Sequence, residues 1–254
     1  MAASRHLQDQ LAPASSVDPS HYWIVGVVGF TVFSFILVTI WVLRKAYPEI
    51  HYDWDSIDKG AVSFPSDFIW GTATAAHQIE GNQNNNWTVF EEESGLERSG
   101  EACDHWSRWK EDFSLLSSLG ANSYRFSVEW SRLEPKEGEW DQVAMDTYSD
   151  MVDDLVSRGV RPMITLHHFS HPSWWEDKGG FAQKGNLKQF VAYCEKVFDQ
   201  LSDRVDFWCT INEPTVFSSM GYTLGQFPPG RRSMRLTLRV MRNMMRAHAM
   251  AYRS

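Results

Sequence analysis

Cysteine is scarce in this 254-residue chain, with only Cys103, Cys194 and Cys209. An odd count without a short spacing gives neither a disulfide framework nor a zinc site. Cys194 and Cys209 fall inside apolar patterns, where a free thiol behaves as a small hydrophobe, so a reducing compartment is favoured. Positive charge is also in deficit. The formal net charge is −8, no run reads as a basic stripe, and this argues against nucleic acid as a partner because phosphate binding needs basic surface. What is abundant is aromatic: twelve Trp, more than core packing alone usually needs. Flat indole rings stack on the apolar faces of sugars, although large cores use the same residues.

The chain divides by composition. Residues 1–20 are polar and contain Ala, Ser and Pro, which predicts a disordered tail. Residues 22–43 carry no charge; as a helix they extend roughly 33 Å, enough to cross a hydrocarbon core of about 30 Å. Tyr22, Trp23 and Trp41 sit at its ends, where an aromatic belt belongs. A cleaved signal peptide would have a shorter apolar stretch nearer Met1 and a small-residue cleavage site. The expectation is a single-pass membrane anchor. Arg44 and Lys45 at its C-terminal end lean the large domain toward the cytosol, and one sequon, Asn86-Trp87-Thr88, argues for the lumen.

Residues 44–63 form a charged linker with Glu49, Asp53, Asp55 and Asp58. From residue 64 to 254 a strand–loop–helix beat repeats four times. Expected strands are 68–75, 123–128, 163–167 and 205–211. Expected helices are 104–119 with Asp104 as cap, 141–158, 186–201 and 233–253. Alternating strands and helices imply a parallel sheet, and right-handed crossovers let it curl. The fold class is α/β of the (β/α)8 TIM-barrel type, with only the first four β/α units in this chain plus one N-terminal transmembrane helix.

In such barrels reactive groups sit where strands end. Three ends are rich in polar groups: His77-Gln78-Ile79-Glu80-Gly81, His167-His168-Phe169, and Thr210-Ile211-Asn212-Glu213-Pro214. The first of these belongs to Phe68-Ile-Trp-Gly-Thr-Ala-Thr-Ala-Ala-His-Gln-Ile-Glu-Gly81, which resembles the N-terminal signature of family 1 glycoside hydrolases. Tyr124-Arg-Phe-Ser-Val-Glu-Trp-Ser-Arg132 resembles that family's second strand, and Thr210-Ile-Asn-Glu-Pro214 its acid/base motif. The resemblance runs in order from about Phe64 to Ser254. It implies a retaining β-glycosidase, β-glucosidase-like, that takes a β-linked glycoside or oligosaccharide and needs no cofactor.

The candidate site follows. Glu213 is the acid/base carboxyl, because cleaving a glycosidic bond needs a carboxylic acid beside a poor leaving group; Pro214 is expected to hold it extended. Asn212 can bond the sugar 2-hydroxyl, and Gln78 can bind two adjacent hydroxyls through one amide. The resemblance assigns His168 to sugar binding and Arg125 to supporting the nucleophile as a fixed cation; a structural salt bridge is the plainer role for Arg125. His167 and His168 alternate in direction, which disfavours a metal shared with His171. Trp87 and Trp130 read as packing, Glu80 and Glu129 as loop anchors. Phe169 and Ser170 depart from the family's usual Trp and Asp, which leaves the glycone preference open. The family's nucleophile motif, Glu-Asn-Gly, is absent, so the chain is expected to be an incomplete barrel, inactive alone. Two other readings stay open: a non-catalytic carbohydrate- or protein-binding pseudoenzyme, and a glycolipid transglycosylase.

Overall fold

The computed structural model describes residues 19–49, 51, 53–58, 60 and 63–254, in two compact units, Met1–Phe64 and Pro65–Ser254. The expected polar tail lies outside the described residues, apart from Pro19 and Ser20, which open a helix.

That helix runs Pro19–Ala46. Its Val25–Ala46 stretch of 22 residues has a mean hydropathy of 2.4 and no buried residue, so it is long and apolar enough to cross a membrane. Arg44 and Lys45 occupy its last turn, with Lys45 Nζ 4.7 Å from the centre of the Trp41 ring.

The second unit is a four-stranded parallel sheet in the order β1 (Gly71–Ala73), β2 (Ser123–Ser127), β3 (Arg161–Thr165), β4 (Phe207–Cys209). Between and after the strands come α1 (His105–Ser118), α2 (Gln142–Ser157), α3 (Leu187–Leu201) and α4 (Met234–Ala251). Register is in order, with Gly71 opposite Ser123, Ser123 opposite Arg161 and Met163 opposite Phe207. Among the described residues neither β1 nor β4 has a second strand partner, so four units of a TIM-type barrel stand open on two edges.

Period-two alternation sorts each strand into two faces. Tyr124, Phe126 and Ile164 are buried toward the helices, and Tyr124 meets Phe113 of α1 edge-on at 5.6 Å. Arg125, Ser127 and Thr165 take the other face, the inside of the curl. From α2 come Tyr148, Met151, Val152 and Leu155, and from α3 Phe190, Tyr193, Cys194 and Val197, all essentially inaccessible. Each such side chain stabilises the core by about 1.5–3 kcal/mol. Tyr193 also ties α3 to two strand ends, donating to the carbonyls of Val128 (3.1 Å) and Leu166 (2.9 Å). Trp130 stacks on Tyr193 at 4.8 Å.

The strands are shorter than the apolar runs suggest, although backbone bonds between β3 and β4 continue past their ends, from Leu166 to Cys209 and from His167 to Thr210. Helix caps explain the other differences. Asp141 accepts from the Ala144 amide at 3.0 Å and Ser233 from Leu236 at 3.4 Å, as their positions before apolar periods predict. Asp104 differs. Its backbone is left-handed (φ 52°) and its carboxylate takes the Ser107 hydroxyl at 2.9 Å instead of an amide.

Candidate active site at the strand ends

The loop after β1 turns at once into a short helix, Ala76–Ile79, whose first amide donates to Ser127 Oγ of β2 at 2.7 Å. This bond fixes where Gln78 emerges. Below it, Glu80 is buried and accepts from Arg132 Nε (2.7 Å), Tyr148 Oη (2.7 Å) and Gln83 Nε2 (3.0 Å). Burial pushes the Glu80 carboxyl up to about 7 against the pull of Arg132. Glu129 is equally enclosed and accepts from the hydroxyls of Ser131 (2.7 Å) and Ser170 (2.6 Å). Both carboxylates anchor loops.

The loop after β3 is held by Asn86. Its Nδ2 donates to the Phe169 carbonyl at 3.1 Å and its Oδ1 accepts from the His171 amide at 2.9 Å. Asn86 is the sequon asparagine. Buried, with its amide nitrogen already bonded, it cannot carry a glycan in this fold, and the neighbouring Thr88 hydroxyl is spent on the Asn85 cap. The sequon therefore gives no support to a lumenal location. His167 points into the core, 3.2 Å from His171 Nδ1, and His171 in turn meets Glu176 at 2.8 Å. Burial drives His167 well below its ordinary value, with His171 and His168 adding to the effect.

His168 takes the opposite direction, as strand alternation requires. Burial, with the Arg125 cation second, lowers it to about 4, so at neutral pH it offers one donor and one acceptor. With Gln78, Trp87, Phe169 and Phe227 it lines a cavity of about 490 Å³.

Behind that cavity Arg125 reaches across the sheet. Nε donates to Thr165 Oγ1 at 2.8 Å, and Nη2 donates to Asn212 Oδ1 at 2.5 Å and approaches Cys209 Sγ at 3.7 Å. All three partners are neutral, so the plainer salt-bridge role for Arg125 does not hold among the described residues. The Asn212 amide donates to the His167 carbonyl at 2.8 Å, which extends β4 by one rung beside β3. With its oxygen taken by Arg125, Asn212 keeps its NH2 for another acceptor.

Glu213 departs from expectation. It is left-handed (φ 42°, ψ 61°), not extended, because the chain reverses from strand to helix there: Pro214 opens the helix Pro214–Ser219, and the Glu213 carbonyl accepts from Phe217 at 3.0 Å. Its side chain is exposed beside the free edge of β4 and does not line the Gln78–His168 cavity. Arg125, His168 and Asn212 thus converge, Gln78 shares the cavity of His168, and Glu213 follows Asn212 in the chain with its side chain exposed. Trp87 and Phe227, which also face the cavity, carry no such assignment in the sequence. Phe227 sits in a Gly- and Pro-rich turn without periodicity, and Trp87, although it matches a family position, reads from the sequence mainly as packing.

Residues 61–254 match the description "Glycosyl hydrolase family 1". The chain belongs to this family. It is 37% identical to Beta-glucosidase A of Thermotoga maritima over 199 residues, covering 74% of this chain and 45% of that protein. It is also 37% identical to the cytosolic beta-glucosidase of Homo sapiens over 207 residues, 76% of this chain and 44% of that protein. Among solved structures, a beta-glycosidase from Pyrococcus horikoshii superposes with a TM-score of 0.72 at 45% identity, covering 75% of this chain and 45% of that one. The Thermotoga maritima beta-glucosidase in complex with glucoimidazole gives 0.73 at 36% identity, over 75% and 46% of the two chains. As a family 1 chain it therefore spans about 45% of the length of these relatives. The strand ends that carry Gln78, Arg125, His168 and Asn212 all fall within the matched stretch.

Proposed function

We propose that this chain is the N-terminal half-barrel of a membrane-anchored, retaining β-glycosidase that acts on β-linked glucosides. The observation that carries the reading is Arg125, a half-buried guanidinium inside the curl whose partners, Thr165, Cys209 and Asn212, are all neutral. A fixed cation without a carboxylate partner, on the inner face of the sheet, is suited to hold an incoming carboxylate ionised. The nucleophile such a reaction needs would come from outside these residues, about 5–5.5 Å from the acid.

The roles follow from chemistry. Glu213 protonates the leaving oxygen as the glycosyl centre becomes cationic, then takes the proton of the attacking water. The free NH2 of Asn212 donates to the sugar 2-hydroxyl, a bond that strengthens as positive charge develops. Neutral His168 and the amide of Gln78 orient the remaining hydroxyls, while Trp87 and Phe169 supply apolar surface for the ring. The named β-glucosidase relatives support glucose as the glycone.

A titration of the full chain in detergent micelles with glucoimidazole, followed through the His168 imidazole by NMR, tests the subsite. A saturable shift is expected, weakened about tenfold by Gln78→Ala, the loss of one or two hydrogen bonds. No His168 response at any ligand concentration would overturn the reading. A second reading, sugar binding without turnover, is favoured by the position of Glu213 outside the cavity wall; it shares the binding result and fails if a completed barrel hydrolyses glycosides.

A further inference from the structure

The sheet's outermost helix contradicts the expectation that no basic stripe exists. Residues 231–254 carry seven arginines and no Asp or Glu, in a chain of net charge −8. On α4, Arg235, Arg239, Arg242 and Arg246 recur at intervals of four, three and four, which places them in one row on the helix face. The opposite face, through Val240, Met244 and Ala247, is buried against the core. Chain averaging hides the row, because acids elsewhere outnumber it.

Five other arginines of this unit are paired: Arg98, Arg108, Arg132, Arg158 and Arg204 each meet a carboxylate within 3.1 Å. The α4 row has no ion pair among the described residues. Arg239, Arg242 and Arg246 instead join Lys184 around an open cleft of about 490 Å³ whose wall contains no carboxylate. Asn243 in the same wall is held by the Phe181 carbonyl at 2.8 Å, so the cleft floor is fixed. Beside the row stand exposed apolar side chains, Leu238 (65%) and Met234 (60%). A soluble anion would use the cations only. A bilayer surface uses both sets, headgroup phosphates on the arginines and the acyl boundary on Leu and Met.

From this juxtaposition we infer that the arginine row of α4 docks on a bilayer rich in anionic phospholipid, with a phosphate-bearing headgroup in the Lys184–Arg246 cleft. The same chain carries a 22-residue apolar span, and the connector to Pro65 can extend up to roughly 60 Å, so tethering and docking are compatible. Arg44 and Lys45 favour the cytoplasmic leaflet, the more anionic side. This inference rests on the anchored reading of the N-terminal helix but not on glycosidase activity. Docking would hold the strand-end site at a constant distance from lipid.

The test uses the full chain in nanodiscs of pure phosphatidylcholine or of phosphatidylcholine with phosphatidylserine. Co-elution with the discs tests the anchor, and phenylglyoxal labelling of each arginine, read by mass spectrometry, tests the dock. Labelling of Arg239, Arg242 and Arg246 is expected to fall about fivefold in anionic discs, the effect of about 1 kcal/mol per cation, with Arg98 unchanged and the protection lost in high salt. Equal labelling in the two discs overturns the inference. So does equal protection in both, which means a protein surface covers the row, and protection in neutral discs by added inorganic phosphate alone, which makes the cleft a soluble-anion site. Failure to co-elute even with anionic discs would overturn anchor and dock together.

Discussion

Two ionisable side chains near the candidate site are shifted in opposite ways, and this has a measurable consequence. Glu80 is raised from 4.5 to about 7, so between those values the folded state holds a proton that the unfolded chain has released. Its contribution to stability falls as pH rises through that window. His168 is lowered from 6.5 to about 4, so there the unfolded state holds the extra proton and stability rises with pH. Glu80→Gln should therefore gain on the parent as pH is raised from 4.5 to about 7, and His168→Asn should gain as pH is lowered from 6.5 to about 4. Urea midpoints across this range check both; variants that track the parent at every pH contradict the assignment. Asn86 makes a second residue-scale case. Asn86→Ala leaves the buried amide of His171 unpaired and should cost about 2–3 kcal/mol. The folded parent expressed in a glycosylating host should show no change in gel mobility on deglycosylation.

Among elements, the four strands and the helix starts near Asp141 and Ser233 were readable, because apolar periodicity is a local rule, whereas the cap expected of Asp104 does not form, its carboxylate taking the Ser107 hydroxyl. The polar ends of the first, third and fourth strands were legible because reactive groups of such barrels sit where strands end, whereas Arg125 was reached only through the family resemblance. The backbone at Glu213 was not legible. Proline after it restricts its conformation, yet only the demand that β4 turn immediately into a helix selects the left-handed form. Phe227 was equally hidden, brought to the cavity by a turn with no pattern of its own. Turns also give an element-scale prediction. Gly120 is left-handed with open space around it, so Gly120→Ala should cost about 1–2 kcal/mol. Gly81 is left-handed too, but an added Cβ would collide with the Glu101 backbone carbonyl. Gly81→Ala should exceed Gly120→Ala by about 1–3 kcal/mol in chemical unfolding, from overpacking added to the same strain. Equal costs would mean the loop after β1 yields freely.

At the scale of the whole molecule, the chain joins a helix of membrane-spanning length to four β/α units of a family 1 barrel. If the helix anchors the protein, the parent should stay with membranes through alkaline carbonate extraction. Arginine at both Val32 and Leu37, each costing about 2.5–3.5 kcal/mol at a helix centre, should release it; retention of that variant would argue against a span. The barrel itself is open along β1 and β4, and the hollow of about 930 Å³ beside β4 is lined by Met163, Trp208, Ile211 and Pro214. Glu213 is exposed, and the acid/base role proposed for it calls for a wall opposite.

The most direct measurement supplies that wall. Residues 65–254 would be joined to the remaining half of the Thermotoga maritima Beta-glucosidase A, and hydrolysis of β-glucosides with good and poor leaving groups compared before and after Glu213→Gln. If Glu213 donates the proton, kcat/KM for the poor leaving group should fall by about 10²–10⁴-fold while the activated aryl glucoside is barely slowed in glycosyl transfer to the enzyme. Equal losses on both substrates, or none on either, would contradict the role given to Glu213 and with it the mechanism built on this site.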